Sequence, residues 1–165
     1  MFSNRTLYTH TGRKVHFYDD LVKGRIVTVN LAYTRCTRNC PTGFRALAEL
    51  QQRLGDEAVK DVCMYTLTLD PEHDTPAVLR AARKEYGAGP GWTFLTGSPD
   101  AIEDVRRSLG LVDPDPKVDA DRSQHSGLLV MGNDPIDRWC RVPLGFRVDQ
   151  IYDALRRVRL PASEW

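Results

Sequence analysis

The segment Val27-Thr-Val-Asn-Leu-Ala-Tyr-Thr-Arg-Cys36-Thr-Arg-Asn-Cys40-Pro41-Thr-Gly43 constrains this chain more than any other. Val27, Val29, Leu31 and Tyr33 alternate with Thr28, Asn30 and Ala32, the period of two that marks a strand. Proline suits the first helical position, where its missing N–H has no partner to lose, and it pushes the preceding residue toward extended backbone. The spacing therefore predicts a buried strand, a short loop with two cysteines, and a helix opening at Pro41. Cys40 is read as the last loop residue, so the two sulfurs meet because the loop folds back, not as i and i+4 of a helix. Both sulfurs lie at the positive end of that helix, flanked by Arg35 and Arg38. Such a setting is expected to lower thiol pKa and favour thiolate.

The rest of the chain arranges itself around this loop. Leu7 to Phe17 reads as a hairpin turning near Thr11-Gly12, and Asp19 to Gly24 as a short turn or helical tag before the central strand. After the cysteines, Phe44, Leu47, Leu50 and Leu54 have helical spacing, with Gly55 as C-terminal cap. Val62 to Leu69 is apolar at most positions, as in a strand covered on both faces. The loop Asp70-Pro-Glu-His-Asp-Thr-Pro76 ends in a helix start, Thr75 as N-cap and Pro76 at N1, with Val78, Leu79, Ala82 and Tyr86 on the buried face. Gly87 to Gly91 breaks the chain before a strand at Trp92–Leu95. Ser98-Pro99 then starts a helix carrying Ile102, Val105 and Leu109 and ending at Gly110. Val112 to Gln124, polar and rich in aspartate, is expected to be a mobile loop. Gly127 to Met131 is a strand, Gly132 to Asp134 a turn, Arg138 to Val142 its hairpin partner, and Val148 to Val158 a helix burying Ile151, Leu155 and Val158.

That order is a βαβ unit carrying the cysteines, then one strand–helix insertion, then a ββα unit. It predicts an α/β fold with a mixed central β-sheet flanked by helices and an N-terminal β-hairpin. A right-handed crossover puts the cysteine loop at the carboxyl edge of the sheet, the thioredoxin-type position for a reactive cysteine.

Composition excludes several classes. The 165 residues fit one domain, residues 1–165, with terminal tails at 1–6 and 161–165. A net charge of +1, from 23 basic and 22 acidic residues, argues against nucleic acid or a membrane surface as partner. No apolar run approaches the ~20 residues of a membrane helix, and no basic-then-apolar leader opens the chain. Four cysteines in this length do not make a disulfide scaffold.

With these stretches in view, the chain resembles the Sco/SenC family of copper chaperones. Tyr33-Thr-Arg-Cys-Thr-Arg-Asn-Cys-Pro41 matches the family's C-x-x-x-C-P motif. Thr68-Leu-Asp-Pro-Glu-His-Asp-Thr-Pro76, Trp92-Thr-Phe-Leu-Thr-Gly97 and His125-Ser126 carry the rest of the likeness, in order, over nearly the whole chain. The resemblance implies a thioredoxin-like fold and a copper site made of Cys36, Cys40 and His125. It also implies delivery of Cu(I), with Cu(II) as a second state, to the copper centre of cytochrome c oxidase or a similar cuproprotein. A thiol reductant and an extracytoplasmic, membrane-tethered setting in a longer native chain belong to the same implication, and the chain is expected to be monomeric.

The residues by themselves leave alternatives open. Two thiolates and an imidazole are soft, low-coordinate donors suited to Cu(I). Zinc would call for a fourth ligand, for which His73 or Cys140 are candidates, and a resting disulfide would call for no metal. Asp70 and Asp74 invite an acid–base reading, but their turn and cap chemistry favours a wall beside the site. His10, His16 and His73 are expected to face solvent, and Cys63 and Cys140 to be structural. Two function classes result. One is a metallochaperone that is not an enzyme. The other is a thiol–disulfide oxidoreductase or redox sensor using Cys36 and Cys40 without obligatory metal.

Overall fold

Hydrophobic residues on both sides of the central strand set the architecture of this computed structural model, which describes residues 1–36, 40–122, 127–160 and 163. Among them the strands are β1 (Thr6–Thr9), β2 (Lys14–His16), β3 (Ile26–Ala32), β4 (Val62–Thr68), β5 (Trp92–Thr96), β6 (Leu128–Asn133) and β7 (Arg138–Pro143). They form one sheet in the order β2-β1-β5-β4-β3-β6-β7. Strands β3, β4 and β5 are parallel, and the remaining pairings are antiparallel. The helices are α1 (Cys40–Leu54), α2 (Glu57–Lys60), α3 (Pro76–Glu85), α4 (Pro99–Ser108), α5 (Pro116–Ala120) and α6 (Val148–Arg159).

Helices α1, α3 and α6 cover one face of the sheet, packing Phe44, Leu47, Leu79, Ile151 and Leu155 against Met64, Trp92 and Met131. Helix α4 covers the other, with Ile102 and Val105 against Val27, Val29, Leu31 and Leu67. Each Leu-sized side chain buried this way contributes about 1.5–3 kcal/mol. Because both faces are covered, Thr28 and Asn30 of β3 are as buried as their apolar neighbours. The Phe44 ring stacks on Tyr86 at 4.0 Å and on Phe94 at 5.7 Å, anchoring the first turns of α1.

The helix starts follow the sequence signals. Thr75 Oγ1 accepts from the Val78 N–H, and Ser98 Oγ from the Ala101 N–H, each followed by a proline inside the helix. Gly55, at φ +56, closes α1 in the left-handed region that favours glycine.

The helical alternative holds before the central strand, as a turn of π-helix, Phe17–Val22, which buries Phe17, Leu21 and Val22. Two expectations change. Val78 and Tyr86 are only half-buried on α3. Strand β6 runs through Gly132 to Asn133, and the turn lies at Asp134–Asp137, with Asp137 at φ 49. Glycine is required at position 132 because the Trp139 ring lies over it; a Cβ there would come within 2.0 Å.

The aspartate-rich segment is organised as far as Arg122. Asp115 Oδ1 caps α5 by accepting from the Lys117 N–H at 2.9 Å. Asp119 takes Arg106 Nη1 and Nη2 at 2.7 and 2.6 Å and the Asp113 N–H at 2.8 Å. Arg106 is buried and needs carboxylate partners, which gives this stretch its fixed shape.

Candidate metal centre

Strand β3 delivers the chain to the carboxyl edge of the sheet, where Tyr33–Cys36 turns back, the Cys36 N–H donating to the Tyr33 carbonyl at 3.1 Å. Helix α1 opens on Cys40, one residue before the proline. Both cysteines are free thiols, 6% and 4% exposed, and their side chains are hydrogen-bonded to each other. Cys36 precedes the helix, and Cys40 is its first residue and not the last of the loop. The Tyr33 hydroxyl adds a hydrogen bond to Cys36.

The loop is tied down by the two aspartates. Asp74, fully buried, accepts from the Thr34 N–H at 3.1 Å, from the Thr34 hydroxyl, and from the Thr68 hydroxyl at 2.7 Å. Asp70, also buried, accepts from Arg35 Nε at 3.0 Å and Nη2 at 2.6 Å through one oxygen. Its other oxygen accepts from Arg122 Nη1 at 3.0 Å. Every carboxylate oxygen is engaged, so the pair acts as an anchor and not as an acid and base. Neither Arg35 nor Arg122 stood out in the sequence as an anchor. The visible signal was an arginine inside the cysteine motif facing an aspartate that begins a Pro-containing loop.

Electrostatics here reverse one expectation. Burial pushes the Cys40 thiol up to about 12; the hydrogen bond to Cys36 adds to this and a backbone hydrogen bond at Tyr33 opposes it. Arg35, expected to favour thiolate, is spent on Asp70 instead. Without metal, the sulfur of Cys40 is therefore a neutral thiol at pH 7. A soft cation entering the site must displace a proton there.

A cavity of about 180 Å³ adjoins the thiol, lined by Asn30, Cys40, Thr42, Gly127 and Leu144 among others. Gly127 is held there by its carbonyl, which accepts from the Leu144 N–H at 2.8 Å. His125, the third expected ligand, lies outside the described residues. The described residues on either side of it are both at the centre: Arg122 through Asp70, and Gly127 at the cavity beside Cys40.

The model of the SCO1/SenC family matches residues 3–156. The chain belongs to the SCO1/SenC family. A SCO2-like protein of Rickettsia conorii is 30% identical over 89 residues, covering 54% of this chain and 42% of that protein. The chain thus matches less than half the length of this curated relative. The copper-bound structure of ScoI from Bradyrhizobium japonicum superposes with a TM-score of 0.75 at 24% identity, over 96% of this chain and 99% of that one. BsSco, a Sco-family protein in which a disulfide switch was identified, superposes at 0.75 and 21% identity, over 96% and 94%. These likenesses show that the fold is the thioredoxin-like fold of Sco proteins.

Other residues singled out from the sequence of this SCO1/SenC chain fall away from the centre. His73 is exposed, and only its backbone N–H reaches Asp70. Cys140 pairs with Met131, which pairs with Thr28, four residues down β3 from Ala32. At about 3.3 Å per residue that leaves Cys140 well short of the loop for a fourth zinc ligand. His10 does not simply face solvent: its Nδ1 accepts from the Phe94 N–H at 3.3 Å, and burial, followed by Arg83, lowers its pKa. Cys63 is half-buried, with its sulfur accepting from Arg25 Nη1 at 3.7 Å. Among the described residues no group of three or more His, Cys, Asp and Glu side chains could hold a metal.

Proposed function

We propose that this chain is a copper-binding metallochaperone that holds Cu(I) through Cys36, Cys40 and His125. Its acceptor is the copper centre of cytochrome c oxidase or a similar cuproprotein. The observation that carries this reading is the pair of buried, mutually hydrogen-bonded thiols at the edge of the sheet. Two neighbouring sulfurs are a soft, low-coordinate donor set, which suits Cu(I) better than zinc. ScoI, with the same fold, holds copper, and BsSco belongs to a family of cytochrome c oxidase assembly proteins.

The residues divide the work as follows. Cys36 and Cys40 give up protons and bind as thiolates. Asp70 holds the cysteine loop through Arg35 and the segment leading to His125 through Arg122. Asp74 fixes Thr34 and hence the turn before Cys36. Ligand exchange with the acceptor's own soft donors then passes the ion on. Extracytoplasmic placement on a tether in a longer chain, a monomeric state and a thiol reductant complete the proposal. Among the described residues no helix is long and apolar enough to cross a membrane.

The contact between the cysteines also favours a second reading, a thiol–disulfide oxidoreductase. There Cys36 and Cys40 would join as a disulfide, and two electrons and two protons would pass to the disulfide of a substrate. The ligand shell of the copper-loaded protein and of His125→Ala separates the two readings, because exchange needs only the sulfurs.

A further inference from the structure

A buried polar chain crosses the sheet and ends at the cavity beside Cys40. Trp92, on β5, is 1% exposed, and its Nε1–H donates to Thr66 Oγ1 on β4 at 2.9 Å. Thr66, 3% exposed, donates in turn to Asn30 Oδ1 on β3 at 2.7 Å. An indole nitrogen only donates, so the Thr66 oxygen accepts from it, and the Thr66 hydroxyl donates to Asn30 Oδ1. With its oxygen turned toward Thr66, Asn30 points its NH₂ group away from that contact.

That amide is at the centre. Asn30 is 3% exposed and lines the cavity with Cys40, Thr42 and Gly127. The chain that fixes its orientation thus turns a donor toward the cavity that Cys40 also lines. The cavity, at about 180 Å³, has room for a bridging water between them.

We infer that Asn30 is a positioning residue for the copper centre: the Trp92–Thr66–Asn30 chain aims its amide N–H groups across the cavity at the metal-bound sulfur of Cys40. This rests on the metallochaperone reading and adds a member to its site. Outer partners of this kind orient ligands and tune a bound metal. A hydrogen bond to the sulfur lowers the energy of its lone pairs, so sulfur-to-Cu(II) charge transfer moves to higher energy. Removing the donor reverses the shift.

The test compares wild type with Asn30→Leu, Asn30→Asp and Thr66→Val. In wild type, the two Asn30 side-chain amide protons, assigned by their absence from Asn30→Leu, shift in ¹H–¹⁵N spectra as one equivalent of Cu(I) is added. In both Asn30 variants the thiolate-to-Cu(II) band moves to longer wavelength, and Cu(I) affinity falls roughly tenfold. Thr66→Val, which does not line the cavity, moves the band the same way by a smaller amount, since it frees Asn30 to turn. Amide signals that ignore copper, or variants with wild-type band and affinity, overturn the inference while leaving the metallochaperone reading intact. Should Asn30→Leu not fold, Asn30→Asp supplies the assignment, and its band and affinity, read with those of Thr66→Val, decide the outcome in the same way. Wild-type protein that takes up no copper overturns both.

Discussion

Arg35 and Asp70 join the cysteine loop to the segment that leads to His125. Arg35 donates from Nε and Nη2 to one carboxylate oxygen, while Arg122 donates to the other. The carboxylate is 4% exposed, but the two arginine side chains are 61% and 51% exposed. Ion pairs so open to water contribute little net stability. What the arrangement supplies is position.

Asp70→Asn is therefore expected to weaken copper binding while preserving the fold. A carboxamide can accept from only one of the two arginines and turns its NH₂ against the other. Cu(I) affinity, read by competition with a chromophoric chelator, should fall about 10–100-fold, with a cooperative melting transition retained. Wild-type affinity in the variant would mean that Asp70 does not position the ligands.

Much of the fold was legible because apolar periodicity and cap chemistry agree. Thr75-Pro76 and Ser98-Pro99 start helices where the signals placed them, and Ile151, Leu155 and Val158 are buried together. The sheet turn near Gly132 was not legible, because the glycine that looked like a turn residue serves to seat Trp139 from the neighbouring strand. The cysteine pair was visible through local spacing. Its charge state was not, because burial by distant elements outweighs the helix terminus and Arg35 is drawn off by Asp70. Asn30 was read only as a strand residue, since its partners Thr66 and Trp92 come from other strands.

The raised Cys40 pKa makes a prediction about alkaline pH. A free thiol titrates near ~8.5 in an unfolded chain, whereas the folded protein holds the proton up to about 12. Between those values the folded state binds more protons, so stability falls as pH rises, by at most about 1.4 kcal/mol per unit. Below the lower value the contribution is fully present. Reduced, copper-free protein should thus lose more stability from pH 9 to pH 11 than Cys40→Ser does, by urea unfolding. Parallel curves would place the titration elsewhere.

Asp119 should matter to the shape of the segment before the histidine. The hydrogen bonds from Arg106 hold its carboxyl well below the usual carboxylate range. Asp119→Asn should cost about 2 kcal/mol in urea unfolding, the scale of a hydrogen bond to a charged group. It should also speed amide exchange at Asp113, whose N–H the carboxylate accepts. Because the folded pKa is depressed, the wild-type advantage is present above the unfolded value of ~3.9 and shrinks as pH falls below it. An advantage that grows in acid would contradict this pairing.

The most direct test of the copper-carrying assignment is X-ray absorption on reduced protein loaded with Cu(I), beside His125→Ala. One copper per chain is expected, bound by two sulfurs and one nitrogen. In His125→Ala the nitrogen should disappear and affinity fall sharply, while reduction of a disulfide substrate continues within several-fold. An all-sulfur shell in wild type, or wild-type affinity in His125→Ala, would contradict the assignment and leave the thiol–disulfide reading in its place.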